Sequence, residues 1–283
     1  IAKLYNENIS NIQLVERELP DKNKRKILLK PNGNYYALLI GNSKYDDPQW
    51  VSLVSPVNDI REIKKVLEKS YKFKKIITVE NGTKKDILKA FQELKKLSTS
   101  NDYVLVYYSG HGEIKADTAY WIPKDGGKEW GMGDWINISD LDIYLKEEIK
   151  AHHLAVLVDS CYVGGKFKGL NILDHLSEEQ AELFGGSLVD GLNLRSRSVL
   201  SSGSNGQVSD TAPGTDHSLF ALSLLTTLKQ FDKLSSPINL QSIALNMKIA
   251  FTGTWNKPIL YNPPTWEDGG GDFIFIPKGN LKQ

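Results

Sequence analysis

Cys161 is the one cysteine of the chain, and it follows the apolar run Leu154 to Val158 within Asp159-Ser160-Cys161-Tyr162-Val163-Gly164-Gly165. About fifty positions earlier another apolar run, Tyr103 to Tyr108, ends in Ser109-Gly110-His111-Gly112. A thiol attacks as its thiolate and so needs a base beside it, and histidine is the side chain that exchanges a proton near neutrality. If the two runs are neighbouring parallel strands, sulfur and imidazole meet at one edge of a sheet, which is an arrangement for nucleophilic attack on a carbonyl. A lone cysteine is more often a small buried hydrophobe. The histidine placed in the same way is what turns the reading toward chemistry.

The remaining chain must supply the elements that hold this pair. Buried strands are expected at Tyr35 to Ile40, Lys75 to Val79, Tyr103 to Tyr108, His153 to Val158 and Ser198 to Ser202, with a short edge or hairpin strand at Ala119 to Pro123. Phe273 to Ile276 is expected to close the sheet. Between them lie helical patterns. Asn58-Asp59 would cap the first, with Ile60, Ile63, Val66 and Leu67 on one face, and Asn81-Gly82-Thr83 the second, with Ile87, Leu88, Phe91, Leu94 and Leu97. Ser139 to Ile149, His217 to Phe231 and Asn239 to Thr252 complete the set. Strands alternating with helices imply right-handed crossovers and a parallel sheet covered on both faces, whose sites gather beyond the carboxyl ends of the strands. Gly164 to Arg197 is far longer than an ordinary connection and reads as a flexible, cleavable loop; Lys257 to Gly271, rich in Pro, Asn and Gly, reads as a surface loop.

Composition narrows the function classes. The chain has 283 residues, 24% charged and 40% hydrophobic, enough for one sizeable core. Its 35 basic and 34 acidic side chains leave a net charge of +1, which gives no bulk electrostatic reason to expect nucleic acid or an anionic membrane as partner. No apolar stretch approaches the length of a membrane span. One cysteine allows no internal disulfide, so a cytoplasmic location is expected. The chain opens on Ile1, which leaves room for a regulatory domain or partner upstream. Trp121, Trp130, Trp135, Trp255 and Trp266 read as packing anchors, and the Lys-rich helix Lys84 to Lys96 as a solvated face. Gly41-Asn42-Ser43 after the first strand offers no Gly-rich phosphate cradle, against a nucleotide-binding reading.

Tyr107-Tyr108-Ser109-Gly110-His111-Gly112 followed by Val158-Asp159-Ser160-Cys161 resembles the catalytic signature of the caspase and metacaspase superfamily of cysteine peptidases, in its bacterial form. The likeness extends through Ala37-Leu38-Leu39-Ile40-Gly41-Asn42, Asn58-Asp59, Ser202-Gly203 and Gly269-Gly270-Gly271-Asp272-Phe273. It implies a three-layer α/β/α sandwich around a mostly parallel sheet of about six strands. It also divides the chain into an N-terminal extension (1–34), a large-subunit-like part (35–165), a cleavable loop (166–196), a small-subunit-like part (197–277) and a tail (278–283).

By the same resemblance Cys161 attacks the scissile carbonyl, His111 transfers the proton, and the backbone N–H groups of Gly112 and Cys161 hold the oxyanion. Ser109, Asp159 and Asp210 match positions lining an acidic pocket, which implies cleavage of proteins or peptides after Arg or Lys. The stretch around Asp210 has one residue fewer than the family pattern. Lys166, Lys168, Arg195 and Arg197 are the candidate self-cleavage positions, and a stress, defence or cell-death pathway is the implied setting. No cofactor or metal is expected; calcium stays open but unpredicted, since Asp117 and Asp125 alone are too few oxygen ligands. Two alternatives stand beside this: a catalytically silent caspase-like scaffold, and an active protease preferring an acidic residue, for which Lys44, Arg195 and Arg197 would be the cationic groups.

Overall fold

The computed structural model describes residues 29, 31–129, 133–161, 172, 188–203, 210–254 and 256–281. Three strands form the middle of the sheet: β1 (Tyr35–Gly41), β3 (Tyr103–Ser109) and β7 (His153–Asp159), each buried at all seven positions. A parallel strand covered on both faces has to be apolar throughout, which is why these stretches read as continuous runs rather than as alternation. β2 (Phe73–Glu80), β8 (Ser196–Ser201) and β10 (Ile259–Tyr261) complete the sheet in the order β10-β8-β7-β3-β1-β2. All neighbours are parallel except β10, which runs antiparallel to β8.

Successive side chains along a strand point to opposite faces, and here they feed two separate cores. Ala37 and Leu39 join a core with Ile60 and Ile63 of α1 (Ser55–Ser70), Phe220 and Leu224 of α5 (Leu219–Lys233), and Ile243 and Met247 of α6 (Leu240–Ala250). Leu38 and Ile40 join the opposite core with Ile87, Phe91 and Leu94 of α2 (Lys84–Leu97) and Leu141 and Leu145 of α3 (Ile138–Glu147). Helices on both faces of one mostly parallel six-stranded sheet make the three-layer sandwich expected from the sequence. Thr83 caps α2 as anticipated, in a reciprocal box with Asp86. No helix among the described residues is long and apolar enough to cross a membrane.

Several elements depart from expectation. α1 begins at Ser55, because Pro56 is favourable in a first helical turn; Asn58 and Asp59 therefore lie inside the helix and do not cap it. The strand within Phe273 to Ile276, β11 (Ile274–Phe275), pairs with β9 (Ile238–Asn239) in a separate two-stranded ladder. The edge of the main sheet is instead β10, inside the segment read as surface loop; three apolar residues between Pro258 and Pro263 are too short to show a period. The hairpin β4 (Gly112–Lys115) and β5 (Thr118–Trp121) pairs with β6 (Ile136–Asn137) in a small sheet of its own. Of the long loop, the end forms the short helix α4 (Leu188–Asn193) and leads directly into β8.

Arg195 and Arg197 are corrected as self-cleavage positions. Arg197 is fully buried in β8, its guanidinium donating to the carbonyls of Leu145, Ile149 and Ala151. The carbonyl of Arg195 accepts the N–H groups of Gly269 and Gly271, and its side chain pairs with Glu267 at 3.2 Å. A protease must take a substrate bond in extended, unpaired form, and neither site offers one. Lys166 and Lys168 lie outside the described residues.

Candidate active site

Register brings the two chemical groups together. Ser109 at the end of β3 is paired with Asp159 at the end of β7, and the Gly110 N–H reaches the Asp159 carbonyl at 3.4 Å. His111 and Cys161 each stand two residues past that pair, on strands about 4.8 Å apart. Both line a cleft of about 290 Å³ together with Ser109, Asp159, Asp210 and Ser218. The cleft thus gathers the sequence-predicted nucleophile, proton-transfer group and all three candidate substrate-binding residues. Gly112 follows as the buried first residue of β4. Cys161 is half-buried.

His111 is held from three sides. Its Nε2 is 2.7 Å from the Val51 carbonyl, which can only accept, so Nε2 carries the proton and Nδ1 is the open acceptor of the neutral ring. Its backbone N–H donates to the Tyr45 hydroxyl at 2.8 Å, and that hydroxyl donates to the Asn42 carbonyl at 2.9 Å. The ring packs against both Tyr45 and Trp50, with centroids 4.8 and 5.3 Å away, and Trp50 is fixed by donating Nε1–H to the Gly126 carbonyl. Burial pulls the His111 pKa below its ordinary value, opposed by the Val51 carbonyl and reinforced by the Lys128 charge, whose ammonium sits 4.6 Å over the Trp50 ring. The ring is therefore neutral near pH 7 and ready to accept a proton through Nδ1. Val51, Tyr45 and Trp50 were not foreseen, since a backbone carbonyl and two loop aromatics leave no pattern in sequence.

Asp159 forms the polar wall of the cleft. One oxygen, Oδ2, accepts from the Ser218 hydroxyl at 2.5 Å and from the Tyr107 hydroxyl at 3.5 Å, while Oδ1 is buried with no partner at hydrogen-bond distance and the Ser202 hydroxyl stabilises the carboxylate more weakly than that of Ser218. Burial, with the neighbouring Asp59 charge adding to it, pushes this carboxyl up to about 7. Behind it, Asp59 accepts from the Ser218 backbone N–H at 3.4 Å and from His217 Nδ1 at 2.7 Å. The Asp59 carboxylate raises the His217 pKa, and burial raises that of Asp59 itself, so the two form a hydrogen-bonded pair behind the pocket wall. Asp59, His217 and Ser218 are functional candidates that sequence reasoning missed: Asp59 looked like a helix cap and His217 like a helix start.

Asp210 occupies a different position in the same cleft. Its two oxygens accept the backbone N–H groups of Val54 and Ser55 at 2.7 and 3.0 Å, at the start of α1. The cationic groups of the acidic-preference alternative do not reach the cleft. Arg195 and Arg197 sit at the opposite, amino edge of β8, where Ser196 pairs with His153, and Lys44 is not part of the cleft wall. Among the described residues, no cluster of three or more His, Cys, Asp or Glu could hold a metal ion.

Comparison with known proteins agrees with this geometry. A family model described as Caspase domain matches residues 34–260. Metacaspase-1 of Scheffersomyces stipitis is 28% identical over 155 residues, covering 47% of this chain and 36% of that protein. Metacaspase-1 of Debaryomyces hansenii is 30% identical over 155 residues, covering 47% and 33%. The chain therefore aligns with about a third of the length of these relatives. The crystal structure of caspase-1 from Spodoptera frugiperda superposes with a TM-score of 0.55 at 12% identity, over 87% of this chain and 93% of that one, a likeness of fold.

Proposed function

The chain belongs to the Caspase domain family of cysteine-type peptidases, and from that premise we propose that it is an endopeptidase cutting proteins after Arg or Lys with Cys161 and His111 as its catalytic pair. The observation that carries this reading is the cleft in which both groups stand beside Asp159, a buried carboxyl whose pKa is raised to about 7 even though the hydroxyls of Ser218, Ser202 and Tyr107 surround it. A guanidinium or ammonium entering there supplies the opposite charge that this carboxyl lacks. An acidic side chain would add a third carboxylate to Asp159 and Asp59.

The chemistry follows from the positions. Cys161 Sγ, its proton passed to His111 Nδ1, attacks the carbonyl carbon; the oxyanion is held by the Gly112 and Cys161 N–H groups. The imidazolium then gives its proton to the leaving amine, and the C–N bond breaks to leave a thioester. Water, deprotonated by His111, hydrolyses the thioester and frees the thiol. The bond from Nε2 to the Val51 carbonyl leaves Nδ1 as the acceptor for the thiol proton. Self-processing belongs to the same proposal and is confined to Lys166 and Lys168, within the loop joining parts 35–165 and 197–277.

Digestion of a proteome-derived peptide library, read for the residue before each cut, tests the proposal. Cuts after Arg and Lys that vanish with Cys161→Ala are the expected result. Cuts after Asp or Glu would overturn the specificity, and no cuts at all would favour the scaffold alternative.

A further inference from the structure

Asp210 faces the cleft, yet its bonding differs from that of Asp159. Asp159 keeps one buried oxygen open, whereas both oxygens of Asp210 already accept backbone N–H groups, those of Val54 and Ser55. These belong to the start of a sixteen-residue helix whose N-cap residue, Val54, supplies no side-chain cap of its own. A carboxylate at that place satisfies two orphan donors and faces the positive end of the helix dipole. Asp210 is thus an N-cap delivered from 156 positions away, out of the small-subunit-like part.

What this cap holds lies next to the catalytic histidine. Three residues before Val54, the Val51 carbonyl receives the Nε2–H of His111. The side chains between give little purchase, for Val51 is 74% and Val54 50% exposed. The carbonyl must be placed by bonds to the backbone on either side of it, and on the helix side the shortest are the two to Asp210 at 2.7 and 3.0 Å and the Leu53 N–H to the Ser43 carbonyl at 2.8 Å, with Asn58 Nδ2 to the Val54 carbonyl and the Val57 N–H to the Ser43 hydroxyl longer at 3.1 and 3.2 Å. A second tie between the same parts, His217 to Asp59 one turn further along α1, keeps the 210–218 segment against this helix.

We propose that Asp210 is a positioning residue for catalysis, clamping the Val51–Ser55 turn so that the Val51 carbonyl fixes the tautomer and orientation of His111, and is not a contact for the substrate cation. The inference rests on the reading of Cys161 and His111 as the catalytic pair. It also means that seating the segment carrying Asp210 completes the large-part histidine.

The experiment compares wild type, Asp210→Ala, Asp210→Asn and His111→Ala in two assays. The first is the rate of iodoacetamide alkylation across pH, which reports Cys161 alone because the chain has no other cysteine, and which needs no substrate. The second is steady-state cleavage of matched Arg-ending and Lys-ending peptides. With Asp210→Ala, kcat is expected to fall about tenfold, as a displaced proton-transfer group requires, with KM and the Arg-to-Lys ratio unchanged. Alkylation near pH 7 falls in step toward the His111→Ala rate. Asp210→Asn, which keeps one accepting oxygen, should fall between and serves as the readout if the alanine variant melts below the assay temperature. A rise in KM with unchanged alkylation would make Asp210 a substrate contact and overturn the proposal, as would no change in either assay. Alkylation of wild type that is indifferent to His111→Ala would break the catalytic-pair reading itself, and this proposal with it.

Discussion

The two ends of the parallel strands both bury ionisable groups, and they treat them in opposite ways. At the amino edge, Arg197 donates to three carbonyls that close the end of α3 and the approach to β7, and it is sealed from solvent. Burial pushes its pKa down to about 10, which still leaves it charged at neutral pH. At the carboxyl edge, Asp159 is also buried but lines a cleft, and its pKa rises to about 7. A buried charge ringed by protein carbonyls and sealed from open space, as Arg197 is even with its Nε unpartnered, is structure. One that borders a cleft is placed to meet a partner from outside. The comparison predicts that damage at the two edges separates cleanly into stability and activity.

The largest effects fall at the carboxyl edge. Cys161→Ala or His111→Ala should lower kcat/KM by about 10³-fold or more, since members of a nucleophile–base pair act as one unit, while urea unfolding changes little. Arg197→Ala is the counterpart at the amino edge. It strands three buried carbonyls and leaves a cavity, so a loss of about 3–5 kcal/mol of unfolding free energy is expected, with KM unchanged where the protein is still folded. A urea titration showing Arg197→Ala neutral would dissolve the contrast between the edges.

The edges also differ in how far they could be read in advance. β1, β3 and β7 were legible because a doubly buried parallel strand admits only apolar residues, and the placement of His111 and Cys161 followed from their strand ends. Arg197 misled because it stands at the end of a segment read as a flexible, cleavable loop, while its partners lie some fifty positions away on α3 and the turn after it. Asp59 misled for a similar reason. An Asn-Asp pair at a helix start is an ordinary cap, and only His217, 158 positions on, shows that the carboxylate belongs to the pocket network. Polar residues reveal their type locally and their role through distant partners. β10, with three residues, had no period to reveal.

Asp159→Asn joins both halves of the comparison in one substitution. The amide keeps the shape and loses the charge, so cleavage after Arg or Lys should fall about 100-fold, chiefly through KM. Stability should move the other way. The folded pKa, about 7, lies above the ordinary value of 3.8, so the native state holds this proton where the unfolded chain has released it. Wild-type stability from this group is therefore lost as pH rises from about 4 to about 7 and is level above that, with an upper bound of about 4 kcal/mol. Asp159→Asn does not titrate, so its advantage over wild type should widen through that window and then stay constant. Chemical denaturation at pH 5, 6, 7 and 8 measures it. A constant gap would mean that the carboxyl titrates normally and is not the strained, open group that the pocket reading needs.

The smallest effect concerns His111. Neutral imidazole is the form that accepts the thiol proton, and burial holds its pKa below 6.5, so reactivity should persist to pH values where an exposed histidine would already be charged. Lys128 contributes to that depression from its place over Trp50. Removing the charge in Lys128→Gln should move the acid limb upward by less than about half a unit, leaving the plateau above pH 7.5 unaltered. Peptide cleavage is a poor gauge, because Asp159 titrates in the same range and would enter through KM. Alkylation of Cys161 by a small neutral electrophile bypasses the pocket and isolates the histidine. A limb that stays fixed in Lys128→Gln but shifts in Trp50→Leu would show that desolvation by the aromatic wall alone sets the proton affinity of His111.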